Sequence, residues 1–291
     1  MAKCYACPRE CGVDRDEKRG YCGAGSEILI AKTMVHRFEE PPISGTRGSG
    51  AIFFGGCNLG CVYCQNAEIS ARAAGKPTTA TEFEKIVFDL ESKGVHNIDL
   101  ITAAHFVPYL ASILEKIKPK LSIPIVYNSG GYEKPETLRL LDGLIDLYLP
   151  DYKYRSAELA KKFSFAPDYP EVAEAALEEM TRQQPEFVTD DSGIAKRGVI
   201  VRHLVLPAHR DDSIAVMRLL AERFPTVKLS LMRQYTPEFN RSEYRELNRR
   251  VTSFEYNSVV DEAVRLGLDG FIQDASSATA AFTPDFSENR S

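Results

Sequence analysis

Three cysteines lie within eight residues of one another in this 291-residue chain, directly after the apolar run AIFF. Their spacing is Cys57-x3-Cys61-x2-Cys64. A structural zinc site normally has four protein ligands, and neither a fourth cysteine nor a histidine lies beside these three. Thiolates also bind iron–sulfur clusters and Cu(I). Three thiolates on a [4Fe–4S] cluster leave one iron free for another group, so this loop is a candidate catalytic metal site.

The segment CNLGCVYC resembles the signature loop of the radical S-adenosylmethionine (SAM) superfamily. In that family the three cysteines hold a [4Fe–4S] cluster, and the free iron binds the amino and carboxylate groups of SAM. The resemblance implies reductive cleavage of SAM to a 5′-deoxyadenosyl radical, which abstracts a hydrogen atom. Tyr63, the aromatic residue before the last cysteine, fits the family pattern and is predicted to contact the cofactor. The alternatives are a structural metal site with a distant fourth ligand, and buried thiols without a metal.

Four further segments resemble the branch related to pyruvate formate-lyase activating enzyme, often called PflX-like. They are EPPISGTRGSG, YLPDYKY, RHLVLP and MRQYTP. The resemblance implies a protein target, for example the glycine of a glycyl-radical enzyme, and we expect an electron donor such as a flavodoxin or a ferredoxin. Because a fold does not settle a substrate, a small-molecule target and a non-catalytic iron–sulfur electron carrier stay open as alternatives.

Charged and polar residues at predicted strand ends are candidates for binding SAM. Asp151 and Lys153 match an Asp-x-Lys that the activating enzymes place near the methionine group of SAM, and such a pair would hold a zwitterionic amino acid. A surface salt bridge is the alternative. Arg202 matches an arginine that reaches SAM in these relatives, while His203 alternates to the other face and is expected to be packed. Asn128 is predicted to bind ribose or carboxylate, or to lie in a plain strand-to-helix turn.

The chain departs from the activating enzymes where these usually have Gly-Gly-Glu, which holds the amino group of SAM. Here the sequence is Thr102-Ala-Ala-His105. His105 is predicted to contact substrate, with a proton donor and a helix-entry residue as alternatives. Gln234 and Tyr235 end a later strand and are predicted to face the substrate opening. Further candidates at strand ends are Arg233, Gln273 and Asp274.

The other four cysteines form a separate pattern near the N-terminus, Cys4-x2-Cys7-x3-Cys11-x10-Cys22. Four thiolates make a complete metal site, and the segment is too short to fold on an apolar core alone. A structural zinc and a second iron–sulfur cluster that passes electrons to the first are both consistent with this spacing. We therefore predict a Cys-rich metal-binding segment over residues 1–30 and a barrel domain over residues 31–291.

Short apolar runs alternate with helix-like segments after the cysteine loop, which predicts an α/β fold with a partial or closed (β/α) barrel. The predicted strands are 51–54, 97–102, 123–128, 145–150, 198–207, 227–235 and 268–273. The predicted helices are 81–93, 107–118, 135–141, 157–162, 170–183, 212–223 and 254–266. Thr81 and Glu84 are predicted to form a capping box. Residues 183–197 are predicted to form a loop, and the tail TPDFSENRS is predicted to be weakly ordered.

Composition limits the remaining classes of function. The net charge of −5 disfavours a dedicated nucleic-acid binder, because nucleic-acid affinity rests mainly on Lys and Arg contacts with phosphate. No apolar stretch approaches the roughly 20 residues of a membrane span, and the N-terminus lacks the apolar core of a signal peptide. We therefore expect a cytoplasmic location, in which clustered cysteines are more often metal ligands than disulfides.

Overall fold

A computed structural model describes residues 3–71, 73–273 and 286 of the chain. Ten strands are present in these residues: β1 Ile28–His36, β2 Ser49–Phe54, β3 Lys76–Thr78, β4 Ile98–Ile101, β5 Ile125–Ser129, β6 Leu147–Pro150, β7 Val188–Thr189, β8 Ala195–Leu204, β9 Lys228–Met232 and β10 Gly270–Ile272. The α-helices are α1 Pro41–Ser44, α2 Ala67–Ser70, α3 Ala80–Glu91, α4 Val107–Ile117, α5 Pro135–Leu138, α6 Ala157–Ser164, α7 Tyr169–Gln183, α8 Arg210–Arg223 and α9 Ser253–Arg265.

The strands form an open sheet, which corresponds to the partial rather than the closed barrel. Its order is β10-β9-β8-β6-β5-β4-β2-β1-β3, with β7 paired to β8. The seven predicted strands are confirmed as β2, β4, β5, β6, β8, β9 and β10, and they pair in parallel. Every residue of β2, β4, β5 and β6 is buried, as expected of parallel strands covered on both faces.

Three antiparallel strands were not predicted. β1 pairs with β2, β3 pairs with β1, and β7 pairs with the start of β8. The predicted loop over residues 183–197 is therefore wrong in part, because it contains a short hairpin. The predicted domain boundary between residues 30 and 31 falls inside β1, which begins at Ile28.

The seven predicted helices are confirmed, with one error at a helix start. Thr79, not Thr81, caps α3: its side chain accepts from the Glu82 amide, and the Glu82 carboxylate accepts from the Thr79 amide at 2.8 Å. The motif T-x-x-E occurs twice here, two residues apart, and the helix uses the first. Glu84 instead forms an ion pair with Lys120.

The C-terminal tail contributes one residue to the described structure. Most of the tail that was predicted to be weakly ordered lies outside the described residues, but Phe286 is described. Its ring packs edge-on against Phe53, with 5.5 Å between ring centroids.

Among the described residues, no helix has both the length and the apolar character that crossing a membrane requires.

We predict that Thr79→Ala lowers the melting temperature by about 2 °C, because loss of a helix cap costs about 1 kcal/mol. Thr81→Ala is the matched control and should change it by much less, since Thr81 is an exposed residue in the first turn. The measurement is anaerobic thermal unfolding followed by circular dichroism. A larger loss in Thr81→Ala than in Thr79→Ala would contradict this assignment of the cap.

Candidate active site

The cysteine loop leaves the carboxyl end of β2 through two glycines that no other residue could replace. A Cβ atom on Gly55 would lie 2.0 Å from the carbonyl oxygen of Ala74. Gly56 has a φ of +88°, and a Cβ atom there would lie 2.4 Å from the carbonyl oxygen of Cys22. The start of the loop therefore packs closely against the backbone of Ala74 and of Cys22, and these contacts fix the position from which Cys57 follows.

The carboxyl ends of the parallel strands surround one cavity, and nearly all the predicted site residues line it. These are Cys57, Cys61, Tyr63, Cys64, Asn128, Asp151, Lys153, Arg202, Gln234 and Tyr235. They come from strands and loops up to 178 residues apart in sequence, from position 57 to position 235. The alternation of strands and helices thus brings the sulfur chemistry and the charged residues to the same place, as in barrel enzymes generally.

The centre of the charged part is the guanidinium group of Arg202. Its Nε donates to Asp151 Oδ1 at 2.9 Å, and its Nη2 donates to Asn128 Oδ1 at 2.6 Å. Lys153 Nζ donates to the other carboxylate oxygen of Asp151 at 2.5 Å. Asp151 therefore lies between two cations that are both largely buried.

These contacts decide the charge states. Burial disfavours the carboxylate of Asp151, but Arg202 and Lys153 outweigh this and lower its pKa. Burial likewise disfavours the ammonium of Lys153, but Asp151 outweighs it and raises the pKa of the lysine. The cavity thus presents one carboxylate and two permanent cations, which is the complement of an α-amino acid zwitterion.

Sequence reasoning missed four residues next to this network. Glu39 accepts from Arg202 Nη1 at 3.2 Å and lines the cavity together with His36. Asp99 is fully buried in β4, and its Oδ2 accepts from Asn128 Nδ2 at 3.3 Å; Glu40 is buried as well. His36 is the last residue of β1, a strand that was not predicted, and Glu39 and Glu40 follow it. Asp99 did carry a signal, since it is a charged residue inside an apolar run, as Arg202 is.

Burial disfavours the charged forms of this acidic cluster. It raises the pKa of Glu39 and of Glu40, and it raises the pKa of Asp99 well above the ordinary value. The neighbouring Glu39 adds to the rise at Asp99. One oxygen of Asp99 and one of Glu40 lack a hydrogen-bond partner among the described residues. Asp151 differs from these residues, because the two cations that contact it lower its pKa.

Each of the three sulfurs of the loop lies within hydrogen-bond distance of a polar group. Cys57 Sγ accepts from the amide of Leu59 at 3.3 Å, and Cys61 Sγ lies 3.0 Å from Ser164 Oγ. Cys64 Sγ lies 3.5 Å from Ser70 Oγ. Such donors stabilise sulfurs that bind a cluster.

Tyr63 belongs to a hydroxyl chain that leads back to one of these sulfurs. Its hydroxyl lies 2.6 Å from Tyr154 Oη, which lies 2.8 Å from Ser164 Oγ, the partner of Cys61. Burial raises the pKa of Tyr63 well above the ordinary value, so its hydroxyl keeps its proton.

The donor set of the loop fits a [4Fe–4S] cluster. Burial, together with the thiols of Cys61 and Cys64, raises the pKa of Cys57, and burial also raises the pKa of Cys61. These two thiols therefore need a positively charged group to ionise. Thiolates are the usual ligands of iron–sulfur clusters, and three of them leave one iron open for another group.

His105 does not reach the cavity, which corrects the prediction that it contacts substrate. It is 1% exposed, and its Nε2 lies 2.8 Å from the carbonyl oxygen of Gly55, behind the cysteine loop. Thr102 lines the cavity in its place, with a φ of +65°. His203 is buried against the carbonyl oxygen of Tyr152, at 2.6 Å from its Nδ1, and is packed as predicted.

The further candidates at strand ends contribute little to the lining of the cavity. Arg233 donates to Ser253 Oγ at 2.9 Å, outside the site. Gln273 accepts from the amide of Arg233 and approaches Gln234 at 3.4 Å, so it supports a lining residue. Asp274 lies outside the described residues.

The four N-terminal cysteines also come together. Cys7 and Cys22 are buried, and Gly20 lies between Cys11 and Cys22: a Cβ atom there would be 3.3 and 3.6 Å from their sulfurs. Cys4 is tied to this turn by a 3.0 Å bond from the Gly12 amide to its carbonyl oxygen. Burial raises the pKa of Cys7 to about 11, and the other three thiols contribute to the rise.

Comparison with known proteins decides the family. The model of the radical SAM superfamily matches residues 51–220, which is more than half of the chain. The chain belongs to the radical SAM superfamily. It is an enzyme of the radical SAM class, whose members generally bind a [4Fe–4S] cluster and SAM.

Individual relatives are more distant. An uncharacterized protein of Methanocaldococcus jannaschii is 30% identical over 280 residues, which cover 91% of this chain and 75% of the relative. SuiB of Streptococcus suis, solved with S-adenosylmethionine bound, has a TM-score of 0.50 at 14% identity, covering 80% of this chain and 51% of SuiB. A pyruvate-formate lyase-activating enzyme domain from Bacteroides vulgatus gives a TM-score of 0.43 at 14% identity, covering 58% and 92%. SuiB confirms the fold of the superfamily.

We predict that the stability of the protein falls as the pH rises toward 8, through Glu133. This residue is 2% exposed, and neither of its carboxylate oxygens has a well-aligned donor in the described part of the chain. Burial raises its pKa to about 8 from an ordinary 4.5. Between these values the unfolded chain binds fewer protons than the folded one. Stability should therefore decrease by at most about 1.4 kcal/mol per pH unit.

Glu133→Gln should remove this part of the pH dependence, whereas Glu136→Gln, at an exposed position on the same turn, should not. The measurement is denaturant unfolding of the apoprotein from pH 5 to pH 8. Equal slopes for wild type and Glu133→Gln would contradict the prediction.

Proposed function

We propose that Cys57, Cys61 and Cys64 hold a [4Fe–4S] cluster and that the cavity beside them binds SAM. The observation that carries the proposal is that three free thiols and a zwitterion-binding charge network line one cavity. When bound, the cluster supplies the electron that cleaves SAM to methionine and a 5′-deoxyadenosyl radical, which abstracts hydrogen from the substrate. An electron carrier without catalytic activity would not require a binding site of this kind.

The residues around Arg202 would orient the methionine part of SAM. The cations of Lys153 and Arg202 suit its carboxylate, and the carboxylate of Asp151 suits its amino group. Because this chain lacks the Gly-Gly-Glu stretch, no glutamate from β4 shares that last role. Thr102 lines the cavity at that point, with a left-handed backbone.

Apolar and aromatic groups in the same cavity would hold the nucleoside and exclude water. Phe53, Leu204 and Met232 line it, and so does Tyr63. Asn128 has its carbonyl oxygen on Arg202 and its amide on Asp99. These two hydrogen bonds fix the orientation of the Asn128 side chain, so a ligand would meet it in a single conformation.

The target of the hydrogen abstraction is proposed to be another protein, for example the glycine of a glycyl-radical enzyme. Two features support a macromolecular target over a small one. The cavity reaches the surface at Gln65, which is exposed, and at Gln234, which is half-buried. SuiB, which shares the fold, has been solved bound to its precursor peptide SuiA, so a protein of this fold can bind a polypeptide.

Two other components complete the proposal. A protein such as a flavodoxin or a ferredoxin would supply the electron. The cysteines at 4, 7, 11 and 22 would bind a second metal group, either zinc or another iron–sulfur cluster. Their mutual proximity and the burial of Cys7 and Cys22 support a ligand there.

The proposal is tested by changing Cys57, Cys61 and Cys64 together to Ala. We expect anaerobically reconstituted wild type to produce 5′-deoxyadenosine from SAM and dithionite, and the variant to produce none. Iron content and product are measured by colorimetric assay and chromatography. A wild-type protein with an intact cluster that yields no product, with candidate substrates present, would favour the electron-carrier alternative.

The charge network is tested by the affinity for SAM. Asp151→Asn should weaken SAM binding about 10–100-fold, because a hydrogen bond to a charged group contributes about 1.5–3 kcal/mol. Asp142→Asn is the matched control: Asp142 pairs with Arg182 at the surface and does not line the cavity. Equilibrium dialysis with the cluster-loaded proteins measures the dissociation constants. Unchanged affinity in Asp151→Asn would exclude this network as the SAM site.

A further inference from the structure

The N-terminal cysteine segment is in direct contact with the cysteine loop of the active site. The carbonyl oxygen of Cys22 touches Gly56, which has no room for a Cβ atom on that side. Gly56 precedes Cys57 directly, and neighbouring Cα atoms are about 3.8 Å apart. Cys22, from the N-terminal cysteine set, therefore contacts Gly56, and Gly56 is bonded directly to Cys57 of the catalytic set.

A second connection runs through a buried arginine. Arg15 is 5% exposed; its Nη2 donates to Cys22 Sγ at 3.2 Å, and its Nη1 donates to the carbonyl oxygen of His105 at 2.8 Å. His105 in turn contacts the carbonyl oxygen of Gly55 at 2.8 Å. Hydrogen bonds thus link a sulfur of the N-terminal site to the start of the catalytic loop.

The arginine suits a site that carries negative charge. Four thiolates around one zinc ion have a net charge of about −2, and a cluster with four thiolates has a net charge that changes with its oxidation state. Hydrogen bonds to the sulfurs and nearby charges are what set the potential of an iron–sulfur cluster. The buried guanidinium on Cys22 would therefore change the reduction potential of a cluster at this site. Zinc has no redox chemistry, so the same contact would not have that effect on a zinc site.

The N-terminal site reaches the surface through one of its cysteines. Cys11 is exposed, although Cys7 and Cys22 are buried, whereas the three catalytic cysteines are half-buried. Tyr5 and Tyr21, on the same segment, are also about half exposed, and Tyr21 packs against Gly60 of the catalytic loop. An electron-donating protein would therefore approach the N-terminal site at Cys11.

We propose that Cys4, Cys7, Cys11 and Cys22 hold a second iron–sulfur cluster, which relays single electrons to the cluster at Cys57, Cys61 and Cys64. A one-electron donor of the flavodoxin or ferredoxin class is oxidised as the N-terminal cluster is reduced. That cluster is reoxidised as the catalytic cluster is reduced, and no bond breaks in the relay. The inference rests on the proposed function, because it requires a cluster at Cys57.

The first experiment identifies the metal. The variant with Cys57, Cys61 and Cys64 changed to Ala retains only the N-terminal site, and its iron and zinc are measured after anaerobic purification. We expect iron, acid-labile sulfide and an electron paramagnetic resonance signal in the reduced protein. Zinc without iron would overturn the proposal, and it would do so without affecting the proposed function of the catalytic site.

The second experiment tests the relay without requiring SAM cleavage. Reduction of the catalytic cluster by reduced flavodoxin is followed by electron paramagnetic resonance in wild type and in Cys11→Ser, with dithionite reduction as the reference. We expect the rate with flavodoxin, relative to that with dithionite, to fall in the variant. An unchanged ratio would overturn the relay, even if both clusters are present.

A third variant protects these results against loss of folding. Arg15→Gln removes the charged donor to Cys22 but leaves every cysteine, and we expect it to shift the N-terminal reduction potential to a more negative value with the iron content unchanged. Arg19→Gln is the matched control, since Arg19 is an exposed residue whose nearest bond goes to the carbonyl oxygen of Gly23. Equal potentials in both variants would contradict the role of Arg15.

Discussion

The rest of the site depends on the pairing of one buried guanidinium. An arginine inside a barrel is costly unless its charge is compensated, and Arg202 meets this requirement by contacting Asp151, Asn128 and Glu39. Its partners come from β5, from the residue after β6 and from the segment after β1. The backbones of Asp151 and Arg202 also form a bridge beyond the end of β6. The same interaction therefore joins neighbouring strands and places the ionised carboxylate of the cavity.

Compensation of this kind produces a site that is ready before a ligand arrives. The pKa of Asp151 is lowered because two cations contact it, whereas burial raises the pKa of Asp99 and of Glu40. A zwitterionic ligand would exchange partners with an existing network instead of bringing new charges into a dry interior. The side chains lose their water when the protein folds, so ligand binding does not carry that free-energy cost again. The site is preorganised in this sense.

The sequence allowed prediction of the elements whose pattern is regular. Buried parallel strands are short apolar runs, and the helices between them have apolar positions at helical spacing, so both were recognised. β1 was missed because its exposed and buried residues alternate irregularly and it pairs antiparallel, outside the repeated unit. Glu39 was missed with it. The capping box was placed two residues late because the local motif occurs twice, and only packing of α3 selects between the copies. His105 lies at the predicted strand end, yet its side chain turns away from the cavity, a choice that local sequence does not encode.

The missing side chain at Gly56 couples the N-terminal segment to the catalytic loop. Its backbone lies against the carbonyl oxygen of Cys22, so a larger residue at this position would push the two segments apart. The two cysteine sets are therefore neighbours in space although Cys22 and Cys57 lie 35 positions apart in the sequence. A displacement of one segment would be transmitted to the other through this backbone contact.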